Sequence, residues 1–340
     1  SNNIDCAIKE RRRFDSLGSL VESMKADERK RLATEIAKMY YLEDLSQDEI
    51  SKKVQMSRAN VSRILRKCVE NGVVEIVIHD TETLRPELAQ KIKMHYGLVD
   101  VIIAPTTTER DRNYRIIGER LAQYLMHILK NGMLLGVAKG RVSYYAARTI
   151  ENRINIHADV IQLQGATSIK STSDEGQRLV SAFATKLNGR AFVLNAPIIV
   201  RSRKIKDGLI QSDIIGQIMQ KYANVDVAVF DIEMPALNAV GMQRNTWLSH
   251  ADILQLRELN AVSCVCGRFY DINGVSCSVG LHDRLLAVDS EILKNIPLTI
   301  GVAAGEHMYE TVLSTLRSGL VKVLLIDERL SAIFEEKLAN

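Results

Sequence analysis

From Lys52 to Lys67 the chain carries six basic residues (Lys52, Lys53, Arg58, Arg63, Arg66 and Lys67) and no acid, although acids are plentiful on either side. This chemistry suits DNA. A guanidinium bonds guanine O6 and N7 together, an Asn amide does the same to adenine N6 and N7, and further Lys or Arg neutralise phosphates. Arg58, Asn60 and Arg63 are therefore candidates for reading bases, and Lys52, Lys53, Arg66 and Lys67 for meeting phosphates, with Ser57 and Ser62 beside them as hydroxyl groups. The competing reading is an ordinary solvated basic helix.

A second chemistry is offered by three glycine-bearing stretches, 136–141, 165–168 and 301–306, each placed after an apolar run. Glycine lets backbone amides approach a phosphate closely, and a helix start adds a partial positive charge. None of the three is a Walker loop or a full G-x-G-x-x-G fingerprint, and taken singly each glycine reads more simply as a tight turn. Lys139 lies in the first stretch. It is a point charge for phosphate, a Schiff-base amine for a carbonyl compound if desolvation lowers its pKa, or a solvated loop lysine.

Catalysis and metal binding find less support. His157, His250, His282 and His307 have no companion motif, and Asp231, Asp283 and Asp327 end strands or turns, where such residues commonly cap. Cys264 and Cys266 form the one close pair among five cysteines, and even with Cys277 they lack the CxxC or short His spacing of zinc sites. The expectation is no enzyme, no metal and no cofactor.

The elements that must hold these residues are legible from period and punctuation. Residues 28–43 place Leu32, Ile36, Met39, Tyr40 and Leu42 near a helical period. Ser46 and Glu49 make a capping box that starts a second helix, and Ser57 caps a third carrying Val61, Ile64, Leu65 and Cys68 and ending at Gly72. With Ile50, Val54, Met56, Val61, Ile64 and Leu65 packed inward, Arg58, Ala59, Asn60, Ser62, Arg63 and Arg66 remain on the outer face. Two short helices across a tight turn are the geometry that sets a second helix in the major groove. Gln55 stands at the turn position where Gly is frequent, so a left-handed conformation there costs on the order of 1 kcal/mol. The alternation in VVEIVIHD suits a short strand or wing.

Beyond an amphipathic helix at 84–97, read as a connector, the character changes. Apolar runs such as VDVIIAP, GMLLGVA, ADVIQLQG, AFVLNAP, VDVAVFDI, LTIGVAAG and LVKVLLID alternate with helical patterns. Such runs belong to strands buried on both faces, so the fold class is α/β: a small all-α helix-turn-helix domain and a larger doubly wound, mostly parallel, Rossmann-like domain. Residues 234–285 break the rhythm and suit an inserted antiparallel hairpin. The expected organisation is a leader at 1–25, disordered in expectation, a DNA-binding domain at 26–80, a linker helix at 81–97, and an effector and oligomerisation domain at 98–340.

Composition agrees. The 340 residues suffice for two domains, and 46% hydrophobic with 25% charged is ordinary globular usage, which excludes disorder as the main state. A net charge of +4 is too mild to imply general nucleic-acid or membrane affinity, so the position of the charges matters more than their sum. No apolar stretch approaches the roughly 18 residues of a membrane span. The sparse cysteines fit a reducing, cytoplasmic compartment.

The segment YYLEDLSQDEISKKVQMSRANVSRILRKCVENGVVEI resembles the N-terminal helix-turn-helix of SorC-type (DeoR-like) bacterial transcriptional regulators. In order, LLGVAKGRVSYYAA, LNAPIIV, CGRFYDINGV, LHDRLLAVD, PLTIGVAAGEH and LVKVLLIDERLSA resemble that family's effector-binding domain, so the likeness runs from Tyr40 to Phe334. The resemblance implies a domain related to phosphosugar isomerases that binds a phosphorylated sugar, which alters oligomeric state and operator binding. The partners it implies are double-stranded operator DNA, a small anionic effector and further copies of the chain, as a dimer or tetramer, with no membrane. Carried over by position, effector contacts fall on Lys139, Gly140, Arg141, Gln164, Gly165, Ala166, Thr167, Ser168, Cys264, Ala304, Gly305 and Met308. The family block GVGWGRT reads GVAKGRV here, with Lys139 in place of an aromatic and Val142 in place of Thr. Cys264 replaces an acid, Ala304 a second Gly and Met308 a Lys. Two polar ligands are thus missing, which implies weaker discrimination among sugars or a ligand of another shape. Two alternatives stay open: a constitutive DNA-binding protein with a vestigial ligand domain, and a phosphosugar isomerase or deaminase with a DNA-binding appendage.

Overall fold

The computed structural model describes residues 26–43, 45–71, 73–74, 83–150, 156–167, 176–237, 247–277 and 280–339. The chain divides into two compact units between Asp80 and Thr81.

The first unit holds helices α1 (Ala26–Tyr41), α2 (Gln47–Lys53) and α3 (Arg58–Glu70). The Ser46 side chain accepts from the Glu49 amide while Glu49 reaches back to the Ser46 amide, which satisfies two free donors at the start of α2. Ser57 accepts from the Asn60 amide at the start of α3. Between the helices Gln55 takes the left-handed conformation, φ 55°, as its position predicts. Ile36, Ile50, Met56, Val61 and Leu65 form the core, with Leu32, Tyr40, Val54 and Ile64 partly buried around it. The amides of Val73 and Val74 close on the Cys68 carbonyl. The strand expected from there to residue 80 lies, apart from those two residues, outside the described part.

The second unit opens with α4 (Pro86–Tyr96). Read in the sequence as a connector, this helix buries Leu88, Ala89 and Ile92 in the core of the second unit, and Arg85 before it pairs with Glu335. An amphipathic pattern is the same for a linker and a packed helix, so period alone could not separate them.

The seven apolar runs are seven strands: β1 (Asp100–Ala104), β2 (Leu134–Val137), β3 (Asp159–Gln162), β4 (Ala191–Phe192), β5 (Val227–Asp231), β8 (Leu298–Ala303) and β9 (Val323–Asp327). They form one sheet in the order β1-β9-β8-β5-β2-β3-β4, every ladder parallel. Side chains alternate across a strand, so each strand feeds two cores. Leu324, Ile326, Ala228 and Phe230 face one core with Leu88 and Ile92, and with Ile218, Val312 and Phe334 from α9 (Asp213–Lys221), α12 (Tyr309–Arg317) and α13 (Glu328–Ala339). Val323, Leu325, Val227 and Val229 face the other, with Leu121, Ala146 and Phe183 from α5 (Arg110–Ile128), α6 (Arg141–Thr149) and α7 (Gly176–Lys186).

After β2 the chain builds outward to β3 and β4, whereas β5 lies on β2's other side and leads toward β8, β9 and β1. The strand order therefore reverses between β2 and β5, and the crevice beyond their carboxyl ends is where open α/β sheets take ligands. Helix α8 (Arg203–Ile210) precedes α9, and the interruption at 234–285 contains helix α10 (His250–Glu258) and the antiparallel pair β6 (Ser263–Val265) and β7 (Arg268–Tyr270). Cys266 and Gly267 join that pair with φ 50° and 78°, both positive as a tight two-residue hairpin turn requires. Helix α11 (Ser290–Asn295) leads into β8. At the outer edge of the sheet, the Ile103 amide of β1 donates to Thr83 Oγ1 at 2.7 Å and the Val101 amide to Asp100 Oδ1 at 2.9 Å.

Candidate DNA-reading face and effector site

Burial of Val61, Leu65 and Cys68 fixes the rotation of α3, and Arg63 and Arg66 stand exposed on its opposite side with Ala59. Lys52, Lys53, Arg58 and Lys67 are also exposed, whereas Asn60 and Ser62 are half-buried on the flanks. Arg58 Nε lies 3.8 Å from Asp48 Oδ1, with both side chains largely in water, an ion pair of little strength. Ser57 serves first as a helix cap, because its hydroxyl oxygen accepts the Asn60 amide at 3.3 Å. Every residue expected to face DNA is thus on α2, α3 or the turn between them, and Arg63 is the most central.

The effector residues separate into three neighbourhoods. At the switch point the end of β5 meets the start of α6. Asp231 accepts from the Val142 amide at 3.2 Å and from Ser143 Oγ at 3.1 Å. Gly140 is required there, since a Cβ would fall 2.2 Å from the Asp231 carboxyl. Lys139 Nζ lies 3.8 Å from Glu233 Oε1, and Glu233 exchanges both backbone bonds with Cys264, at 3.0 and 2.8 Å. Burial, reinforced by the Glu233 charge, pushes the Asp231 carboxyl up to about 7 against the pull of its bonds from Val142 and Ser143. Burial likewise raises the Cys264 thiol well above its ordinary range, so it is a neutral thiol where the resemblance placed an acid.

The second stretch is stitched to its neighbours. Gln164 bridges to Ala287, the Gly165 amide donates to the Leu286 carbonyl at 2.9 Å, and the Ala166 amide to Ala196 at 2.9 Å. Thr167 is buried, and Ser168 lies outside the described residues. In the third stretch Gly301 is inside β8 rather than in a loop, Met308 is packed in the core, and the turn proper is Ala304 and Gly305. The Gly305 and Leu330 amides both donate to Asp327 Oδ1 at 3.0 Å. Beside this turn is a cavity of about 260 Å³, lined by Thr108, Asn113, Tyr114, Ala304, Gly305, Glu306, His307, Asp327 and Arg329. Arg141 leans toward it: its guanidinium lies 5.2 Å from the centre of the Tyr114 ring and 3.3 Å from Asp111 Oδ1.

The structure therefore brings Lys139, Gly140 and Cys264 together at the switch point and Arg141, Ala304 and Gly305 near the cavity, and it draws Gln164, Gly165 and Ala166 into the backbone ladder. The amides of Gly165, Ala166 and Gly305, in stretches expected to present free amides to an anion, are taken by acceptors of the chain itself, as is that of Val142 just beyond the first stretch. Asp231 and Asp327 act as the caps that strand-end aspartates suggest. Glu233, beside Lys139, and Asn113, Tyr114 and Arg329, lining the cavity, are neighbours that no spacing in the sequence announces. Among the described residues no group of three His, Cys, Asp or Glu converges as a metal ion would need, and no helix is long and apolar enough to cross a membrane.

Residues 82–333 match the family model described as "Putative sugar-binding domain", and residues 43–75 match one for winged helix-turn-helix DNA-binding. The transcriptional regulator YjhU of Escherichia coli (strain K12) is 30% identical over 304 residues, covering 85% of this chain and 90% of that protein. The deoxyribonucleoside regulator of Bacillus subtilis (strain 168) is 26% identical over 307 residues, covering 88% and 96%. The crystal structure of the full-length sorbitol operon regulator SorC from Klebsiella pneumoniae shares the fold, with a TM-score of 0.77 at 24% identity over 89% of this chain and 97% of that one. With a reading helix ahead of a ligand-type parallel sheet, and both matched in that order, the chain belongs to the SorC-type family of transcriptional regulators.

Proposed function

We propose that the protein is a cytoplasmic regulator that binds double-stranded operator DNA as a homo-oligomer and is controlled by a phosphorylated sugar or related anion seated at the carboxyl edge of its parallel sheet. The observation that carries the reading is the outer face of α3, where exposed Arg63 and Arg66 stand opposite a packed core and no acid interrupts the run from Lys52 to Lys67. Arg58, Asn60 and Arg63 read bases, and Lys52, Lys53, Arg66 and Lys67 hold phosphates. One such helix reads a half-site, so two copies are needed for a specific site. Lys139 and Arg141 supply the cations for the effector. Relatives named for a deoxyribonucleoside and for a sorbitol operon support a ligand of carbohydrate type. The role is read as regulatory rather than catalytic, because the relatives are named as transcriptional regulators and Asp231 and Asp327 are engaged as caps. In this reading residues 26–80 contact DNA and the unit from 81 onward responds to the ligand.

Selection from a random duplex pool tests the DNA half of the reading. Enrichment of two half-sites about one DNA turn apart, or a multiple of it, is the expected result. Failure to enrich any sequence above bulk DNA overturns it. A second reading, a DNA-binding protein whose ligand domain no longer takes an effector, is favoured by the occupied amides of Val142 and Gly305. An operator complex that responds to no sugar phosphate would select it.

A further inference from the structure

The start of a helix leaves backbone N–H groups without internal partners, and an anion is their natural occupant. At the start of α6 the chain supplies that anion itself. Asp231 arrives from the end of β5, accepts the Val142 amide and the Ser143 hydroxyl, and lies so close to Gly140 that not even a methyl group fits between them. Lys139, on the loop before α6, pairs with Glu233 at 3.8 Å. Arg141, one residue into the helix, turns instead to Asp111 and Tyr114.

We propose that Asp231 is the gate that decides which ligands this site admits: a phosphate or sulfate group reaches the α6 amides only when Asp231 has lost its charge, whereas a ligand hydroxyl donates to the carboxylate as it stands. The inference rests on the reading that the effector seats at this edge, and it deepens that reading by naming the residue that sets its selectivity.

A dependence on pH follows. The charged and titratable groups on the neighbouring elements are Glu233 beyond β5, which raises Asp231, Lys139 on the loop before α6, paired with Glu233, Arg141 on α6, paired with Asp111, and Cys264 on β6, a neutral thiol. The Asp231 carboxyl titrates at about 7, and a second anion beside it pushes that value higher. Anion entry therefore takes up a proton. Affinity is level below that pH and falls about tenfold for each further unit above it. A ligand that binds through a hydroxyl shows the reverse, strengthening as the carboxylate forms.

Sulfate is the probe, because its charge stays constant across this range while a phosphate ester titrates within it. The full chain with labelled valine is titrated with sulfate between about pH 5.5 and about pH 8.5, following the Val142 amide resonance, which separates this seat from the basic face of α3. In the wild type the dissociation constant is expected to rise about tenfold per unit above about pH 7. In Asp231→Asn, which keeps the shape and an acceptor for Val142, the slope should vanish and binding should stay tight. Asp231→Gly, which empties the seat, should do the same and guards against a local rearrangement in the Asn variant. A flat wild-type profile, a slope that persists in Asp231→Asn, or a Val142 amide that answers sulfate in none of the three proteins overturns the gate. An operator complex indifferent to every sugar phosphate, with the sulfate slope intact, overturns the regulatory reading and leaves the gate standing.

Discussion

In the proposed function two residues divide the labour of reading DNA from that of holding it. Arg63 stands at the middle of the exposed side of α3, and Lys67 lies one turn further along. Arg63→Ala should cost about 1–3 kcal/mol at the cognate operator and relax discrimination, while Lys67→Ala should weaken all sequences alike and reduce the salt slope by about 1. Fluorescence anisotropy on cognate and random duplexes checks both, and equal losses on random DNA would contradict the division. At the other site, the raised carboxyl of Asp231 makes a statement about stability. Its folded value, about 7, lies above the ordinary carboxylate range, so the unfolded chain releases its proton more readily. The contribution is complete below about pH 4 and is lost as pH rises through 7. Asp231→Asn should therefore leave stability unchanged near pH 4 and raise it by on the order of 2 kcal/mol near pH 8, measured by urea unfolding. A variant less stable than wild type near pH 8 would show that Val142 and Ser143 depend on the charge.

At the scale of elements, what the sequence disclosed follows from whether the determining contact is local. The capping box of Ser46 and Glu49 spans three residues, and the turn at Gln55 is set by its immediate neighbours, so α2 and α3 are legible without tertiary information. The strands are legible for another reason: buried on both faces, they need no polar alternation and read as continuous apolar runs. The site is less so. The Val142 amide meets an acceptor 89 residues away, and the Gly305 amide one 22 residues away, so no spacing within a glycine stretch announces that its amides are engaged. The burial of α4 against β1 is hidden for a different reason, since a linker and a packed helix share one amphipathic pattern. The local device can be tested at its one point of strain. Gln55→Gly should stabilise the first unit by about 0.5–1 kcal/mol, since glycine adopts φ 55° without crowding its Cβ. Thermal unfolding monitored on that unit gives the answer, and a fall in stability would show that the Gln55 side chain does more than occupy the turn.

On the scale of the whole molecule, seven strands in one open sheet leave two edges, and β4 keeps its own short, at two residues. The longer edge is β1, five residues of Asp-Val-Ile-Ile-Ala. Its two outward amides are engaged within the same chain, Ile103 by the Thr83 hydroxyl and Val101 by the Asp100 carboxylate. An apolar strand with free outward amides is a template for another polypeptide, and short polar blocks are one means by which sheets resist it. These two side chains, which belong to neither the candidate DNA-reading face nor the candidate effector site, thus bear on how long the protein survives in concentrated solution. Thr83→Val together with Asp100→Ala should leave the operator affinity of fresh protein unchanged yet shorten its lag before thioflavin-positive fibrils appear. An unaltered lag would mean that something other than these two groups guards the edge.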